Sequence, residues 1–240
     1  MVFDFFRGMG YLGRGMRIIR QPGVRRYAIT PVGISMTLFS ALILAVYYGF
    51  DGLMERFLPQ GYEWLQWLIW PLIAISVLLV LVYGFTLVAN LAGAPFNSAL
   101  SAAVERHELG TMELTGSPGL LKDVVASIGT ELQRIVYFLI RALPLLLLFL
   151  IPVLNLVAPA LWILFSAWVL SLEYASHPFE NHGLSFKSQR QALRRRPLLA
   201  LGFGGTVLLA SMVPILNFFV MPAAVAGATL MFLDHFHNKS

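Results

Sequence analysis

The sequence predicts an all-α integral membrane protein with two long transmembrane helices, two Pro/Asn-tipped helical hairpins partly inserted in the bilayer, and a cytoplasmic helical extension. Composition is the first observation behind this. Of 240 residues, 58% are hydrophobic and 12% charged, with a mean hydropathy of +0.75, whereas about a quarter of the residues in a soluble domain are charged. The second observation is that the apolar excess lies in several long runs, the pattern of bilayer spans rather than of one soluble core. The third is a Pro-x-Leu-Asn signature that occurs at Pro152 to Asn155 and again at Pro214 to Asn217. The absence of cysteine excludes disulfides, thiolate catalysis and cysteine metal sites. A formal charge of +5 does not imply nucleic acid, because membrane proteins concentrate Lys and Arg on one side of the bilayer.

Residues 1–28 form a basic, amphipathic segment. It opens with Phe3, Asp4, Phe5 and Phe6 and then turns arginine-rich, which is not the layout of a cleaved signal peptide, so it is expected to stay on the mature protein. The first span covers 29–50, roughly 22 residues, enough at ~1.5 Å per residue for the ~30 Å hydrocarbon core. Arg7, Arg14, Arg17, Arg20, Arg25 and Arg26 precede it, and Asp51, Glu55, Arg56 and Glu63 follow it, which places the N-terminus in the cytoplasm. The second span, 64–92, begins at an interfacial cluster that includes Trp64, Trp67 and Trp70. Residues 93–134 are polar and helical, and Ser117-Pro118 with its neighbouring glycines marks a turn between two helices.

The repeated signature falls in the hairpins, 135–172 and 198–233. Each copy, with a second proline at Pro159 or Pro222, divides an apolar region into arms of about 12 to 17 residues, shorter than the ~20 of a comfortable crossing. Such arms suit re-entrant hairpins, whose tips need protein or a wet cavity to satisfy their backbone. Two pairs of short ordinary spans are the alternative. Lys187, Arg190, Arg194, Arg195 and Arg196 between the hairpins form a cytoplasmic signature, and Asp234 to Ser240 a polar tail. The whole chain, 1–240, reads as a single membrane domain.

Motifs for common chemistry are missing. The sequence has no Gly-x-x-x-x-Gly-Lys-Ser/Thr loop for ATP, no Gly-x-Ser-x-Gly and no His-Glu-x-x-His. Three metal-ligating types fall close together at His177, Glu180 and His182, but Pro178 works against a regular helix that would align them. A turn at the interface explains them as well, and neither a metal nor a cofactor is predicted.

The run Gln21-Pro22-Gly23-Val24-Arg25-Arg26-Tyr27 is the leading candidate for anion recognition. Pro22-Gly23 is a turn just before the first span, so its N–H groups lie near a helix N-terminus. Unpaired donors, the positive dipole end and a glycine that admits close approach all favour an oxyanion. Arg25 and Arg26 add guanidinium forks. Topology or lipid phosphate accounts for adjacent arginines equally. No carboxylate lies between Asp4 and Asp51, which tilts the reading toward sulfate, a pure acceptor, over monohydrogen phosphate. Candidates for a polar path are Asn90, Asn97, Glu105, Arg106, Arg134, Arg141 and Glu173. Arg134 and Arg141, seven apart, share a helix face, and a charge at depth such as Arg141 is functional by default unless it snorkels to the interface. Glu105 would repel a dianion and is expected to pair with an arginine or to gate.

Several of these segments together resemble the CysZ sulfate permease family: Gln21 to Arg26, Trp64 to Leu72, Ala94-Pro95-Phe96-Asn97, Pro178 to His182, and Val213 to Asn217. The resemblance runs in order from about Gly8 to Asp234. It implies sulfate uptake across the bacterial inner membrane for cysteine synthesis, with the lipid bilayer as surroundings and a homo-oligomer as the assembly. It also implies that Gly23, Val24, Arg25 and Arg26 bind sulfate, matching the family's Gly-hydrophobic-Arg motif with Val24 where Leu or Ile is usual. The loop from Arg106 to Gly119 matches poorly. Two other classes stay open at this point: a non-transporting membrane scaffold or regulatory partner, and a membrane-embedded enzyme using His177, Glu180 and His182.

Overall fold

A computed structural model of the protein describes residues 2–30, 96–110 and 120–237, with scattered positions of 33–49 and 71–79. The chain divides into two compact units, Met1–Arg25 with Asn97–Ser240, and Arg26–Phe96. In the second unit the described positions are helical, and hydroxyls fold back onto the preceding turn: Thr30 Oγ1 donates to the Arg26 carbonyl at 2.6 Å and Thr37 Oγ1 to that of Gly33 at 2.9 Å. Most of the expected spans 29–50 and 64–92, together with Asn90, lies outside the described residues.

The larger unit is helical throughout its described length: α1 (Val2–Ile18), a stretch at 96–109, α2 (Leu120–Leu148), α3 (Ala158–Asn181), α4 (Phe186–Arg195), α5 (Pro197–Ser211) and α6 (Pro214–His235). The amphipathic N-terminal segment is α1. Gly8, Tyr11, Leu12, Gly15 and Ile18 recur on one buried face, while Asp4 in the first turn and Arg17 in the last suit the helix dipole. That face lies on α5 and α6 at backbone distance. A Cβ added at Gly8 would overlap the Leu199 carbonyl, and one at Gly15 the Ala223 carbonyl; from the other side, Gly202 abuts Phe5 and Gly227 abuts Tyr11. Between α3 and α5 the same device recurs, with Gly204 against the Ala167 carbonyl and the buried Ser171 hydroxyl donating to the carbonyls of Ala200 and Ala167. Small residues at helix contacts let backbones approach closely, the packing mode of helices in lipid.

α2 and α3 form an antiparallel pair. Trp168 Nε1 donates to the Tyr137 hydroxyl at 2.9 Å, and the Phe138–Phe165 and Phe149–Trp162 rings stack in sequence toward the turn. α5 and α6 form the second pair around Met212–Val213. Both turns are apolar and open: Leu150, Val153 and Leu156 are 76–80% exposed, and Met212 is 66% exposed. Among the described residues, α3 is the one helix long and apolar enough to cross a membrane, with 24 residues and a mean hydropathy of 1.3, roughly 36 Å. A continuous exposed apolar surface of this extent needs a partner or lipid.

Two sequence expectations differ from the structure. The arms are longer than 12 to 17 residues where α3 has 24 and α6 has 22, because Pro178 and Pro222 sit inside helices instead of ending them. Ser176 Oγ donates to the Glu173 carbonyl at 2.7 Å just ahead of Pro178, adding a side-chain bond where the ring removes a backbone one. The two copies of the repeat also fold differently. In the first, Pro152 lies in the turn, Asn155 in a 3₁₀ turn (Leu154–Leu156), and Val153 has φ 71°, a left-handed conformation that a β-branched side chain resists. In the second, extended Val213 caps α6, Pro214 occupies its first turn and Asn217 is helical.

The glycine contacts give a paired test. Gly15→Ala places a methyl group against backbone, which cannot swing aside, and is expected to cost about 1–3 kcal/mol. Gly13→Ala, on the exposed face with open space around it, is expected to be neutral or to stabilise by up to about 1 kcal/mol. Thermal unfolding of the two variants in detergent reads the difference.

Candidate functional site

The basic turn lies where α1 ends. Ile19 to Val24 form successive turns, Gly23 takes φ 92°, and both Val24 and Arg25 donate their N–H groups to the Gln21 carbonyl at 3.2 and 3.0 Å. Helical conformation begins at Arg25. The Gln21 carbonyl thus takes two of the donors that the sequence left free for an anion, and Val24 is buried, 1% exposed. Gly23 has open space around its Cα, and the Arg25 side chain is exposed with no hydrogen-bond or ion-pair partner among the described residues. In the smaller unit, the Arg26 guanidinium sits 4.8 Å from the Tyr27 ring centre and donates to the Tyr27 hydroxyl at 3.0 Å.

The remaining ionisable groups of the larger unit gather where the helix pairs open, away from the turns. Arg134 bonds Glu131 at 2.6 Å and also Glu180, and it shares a cleft with Glu173. Its side chain is 14% exposed, so among the described residues it is a largely buried cation held by carboxylates. Arg141 lies one helical repeat along and is differently placed. Its guanidinium stacks 3.7 Å from the Tyr137 ring centre and donates to the Tyr137 carbonyl at 3.3 Å. Arg190 of α4 approaches the same ring at 5.1 Å, and Lys187 lines the same cleft. Neither Arg141 nor Arg190 has a carboxylate partner among the described residues.

Glu105, expected to meet an arginine, meets His182 instead, at 2.8 Å. The local chain explains the placement. α3 ends in a Schellman motif, with Gly183 at φ 67°, Leu184 donating to the Phe179 carbonyl at 2.9 Å and Gly183 to that of Glu180 at 2.8 Å. This turns His182 toward 96–109, while Asn181 Nδ2 anchors the Ser98 carbonyl at 3.1 Å. His177, Glu180 and His182 therefore diverge: Glu180 pairs with Arg134, His182 with Glu105, and the buried His177 Nδ1 has no hydrogen bond. Asn97 is buried and Arg106 exposed.

A further cluster, not foreseen from sequence, ties α1 to the end of α6. The Tyr11 hydroxyl donates to Asp234 at 2.8 Å and Arg14 bonds the same carboxylate at 2.5 Å. Burial and then the adjacent carboxylate push the Tyr11 phenol up. Burial would raise Asp234, but the bonds from Arg14 and Tyr11 outweigh it and hold the carboxyl below its ordinary value.

A family model described as sulfate transporter CysZ/etoposide-induced protein 2.4 matches residues 11–222, most of the chain. The chain belongs to that family of membrane transporters.

The two arginine environments predict different responses to substitution. Arg134→Met removes a largely buried cation from carboxylates that water still reaches and is expected to destabilise by about 1 kcal/mol, whereas Arg106→Met, on an exposed helical surface, stays within about 0.5 kcal/mol. Unfolding midpoints of both variants beside the wild type measure it.

Proposed function

Taking membership of this sulfate transporter family as the premise, we propose that the chain is a sulfate permease of the bacterial inner membrane, multi-pass with a cytoplasmic N-terminus, supplying sulfate for cysteine biosynthesis without hydrolysing ATP. The observation that carries this reading is the family match over 11–222, which includes the whole basic turn. Gly23, Val24, Arg25 and Arg26 are the proposed sulfate-binding run. Gly23 offers open backbone and Arg25 an exposed, unengaged guanidinium, which is what a fully deprotonated oxyanion requires. The paired Gln21 carbonyl shifts the weight of binding from the N–H groups of Val24 and Arg25 to the arginine side chains.

Among the path candidates, Arg141 suits a passing anion better than Arg134. A cation already held by Glu131 and Glu180 has little left to offer sulfate, so Arg134, with Glu173 in the same cleft, is read as structural or gating. A dianion entering against an inside-negative potential loses about 4.6 kcal/mol per 100 mV. Uptake is therefore channel-like and drawn by intracellular consumption, or proton-coupled. Homo-oligomeric assembly is part of the same proposal.

The test is uptake of radiolabelled sulfate into liposomes holding the purified protein, beside the Arg25→Ala, Arg26→Ala double variant. The expected result is uptake by the wild type that falls at least about tenfold in the folded double variant, about 1.4 kcal/mol per factor of ten. Wild-type protein without uptake, in verified liposomes, would move the reading to a non-transporting scaffold or regulatory partner. Unchanged uptake in the double variant would keep the permease and discard this site.

A further inference from the structure

Glu105, His182 and His237 come together from three elements far apart in sequence: the 96–109 helix, the cap of α3 and the residues just after α6. One ligand atom from each lies within 4.8 Å of the others. Glu105 is the most telling member. Its side chain is 2% exposed, one carboxylate oxygen takes His182 Nε2 at 2.8 Å, and the other, Oε2, is buried with no hydrogen bond among the described residues. A buried carboxylate oxygen left without a partner is costly, and native structures rarely leave one without a reason. The imidazoles are held in place by ring contacts, His182 and His237 at 5.0 and 6.0 Å from the Phe232 ring and 5.2 Å from each other.

We propose that these three residues form a binding site for a divalent transition metal of the zinc class. The ligands would be the free Glu105 oxygen and one ring nitrogen from each histidine, with water completing the coordination. In a tetrahedral shell with bonds of about 2.0–2.2 Å the ligand atoms lie about 3.3–3.6 Å apart, so a set that lies within 4.8 Å closes by about an ångström on binding. Two imidazoles and one carboxylate favour zinc, cobalt or nickel over magnesium or calcium, which prefer all-oxygen shells. Bound metal would clamp the segment after α6 to the helix that carries Asn97 and Glu105. This site is independent of the sulfate reading and stands or falls separately.

The experiment uses the full chain, free of any affinity tag, purified in detergent and stripped with chelator. Cobalt(II) is titrated and followed by visible absorption, and zinc by its effect on thermal unfolding. The expected result is a saturable cobalt spectrum at one equivalent and a zinc-dependent rise in unfolding temperature, with affinity lowered at least about tenfold in His237→Ala. His237 follows the last helix, so its loss leaves the bundle intact. Glu105→Gln, which preserves shape and removes the charge, is expected to lose affinity in the same way. No saturable cobalt spectrum in the wild type, or an unchanged affinity in His237→Ala, would overturn the proposal.

Discussion

The larger unit depends on helix backbones meeting with almost nothing between them. At Gly8, Gly15, Gly202, Gly204 and Gly227 the neighbouring atom is another main chain, so α1, α5, α6 and α3 hold together only where side chains have been removed from the contact. In water such helices would bury large apolar residues against each other. Here many large apolar residues point outward, among them Leu132, Ile135, Ile140, Ile163 and Leu164, beside a core that also holds Leu199, Phe203 and Phe232. Both facts follow from one solvent. Lipid offers no hydrophobic gain for burying a leucine, so close van der Waals packing of small residues takes over the core and leucines cover the exterior.

This arrangement decides where chemistry is available. Helix pairs that turn in apolar loops carry their charges at the open end, and the ion pairs of Arg14 with Asp234 and Arg134 with Glu180 and the hydrogen bond of Glu105 with His182 all lie there. A charge inside the bilayer is expensive unless it faces protein or water, so that end is where these charges cost least. The cations differ in what they have left to give. Arg134 is committed to carboxylates, whereas Arg141 and Arg190 stack on Tyr137 and keep most of their donors.

Much of this was legible in the sequence. Composition and apolar runs indicate the membrane, the two Pro-x-Leu-Asn signatures fall at or next to the chain reversals, and the quoted motifs point to the family that the match over 11–222 shows. The failures have physical causes. Pro178 and Pro222 read as helix breakers, yet packed helices tolerate the loss of one hydrogen bond when tertiary contacts hold the rest. Residues 1–28 read as basic and amphipathic, but their arginines masked where the buried stripe of α1 lies, although Gly8 and Gly15 two turns apart with Tyr11 between them were the available signal. His182, the partner of Glu105, lies 77 residues away and Glu180, the second partner of Arg134, 46 away, and no local pattern encodes either. His237 lay in a polar tail with no periodicity to lend it meaning.

The central claim is that the apolar turns of the helix pairs sit in lipid while the charged ends meet water. Because the chain has no cysteine, a single thiol can be introduced at Leu156 in the first turn, with one at Arg194 as the comparison. In liposomes, the account predicts that the thiol at position 156 resists a membrane-impermeant maleimide from both sides and that a fluorophore there is quenched by lipid-borne quenchers. The thiol at 194 should label readily from one side. Ready labelling at 156 by the impermeant reagent would contradict a lipid-buried turn and with it this reading of the hairpin.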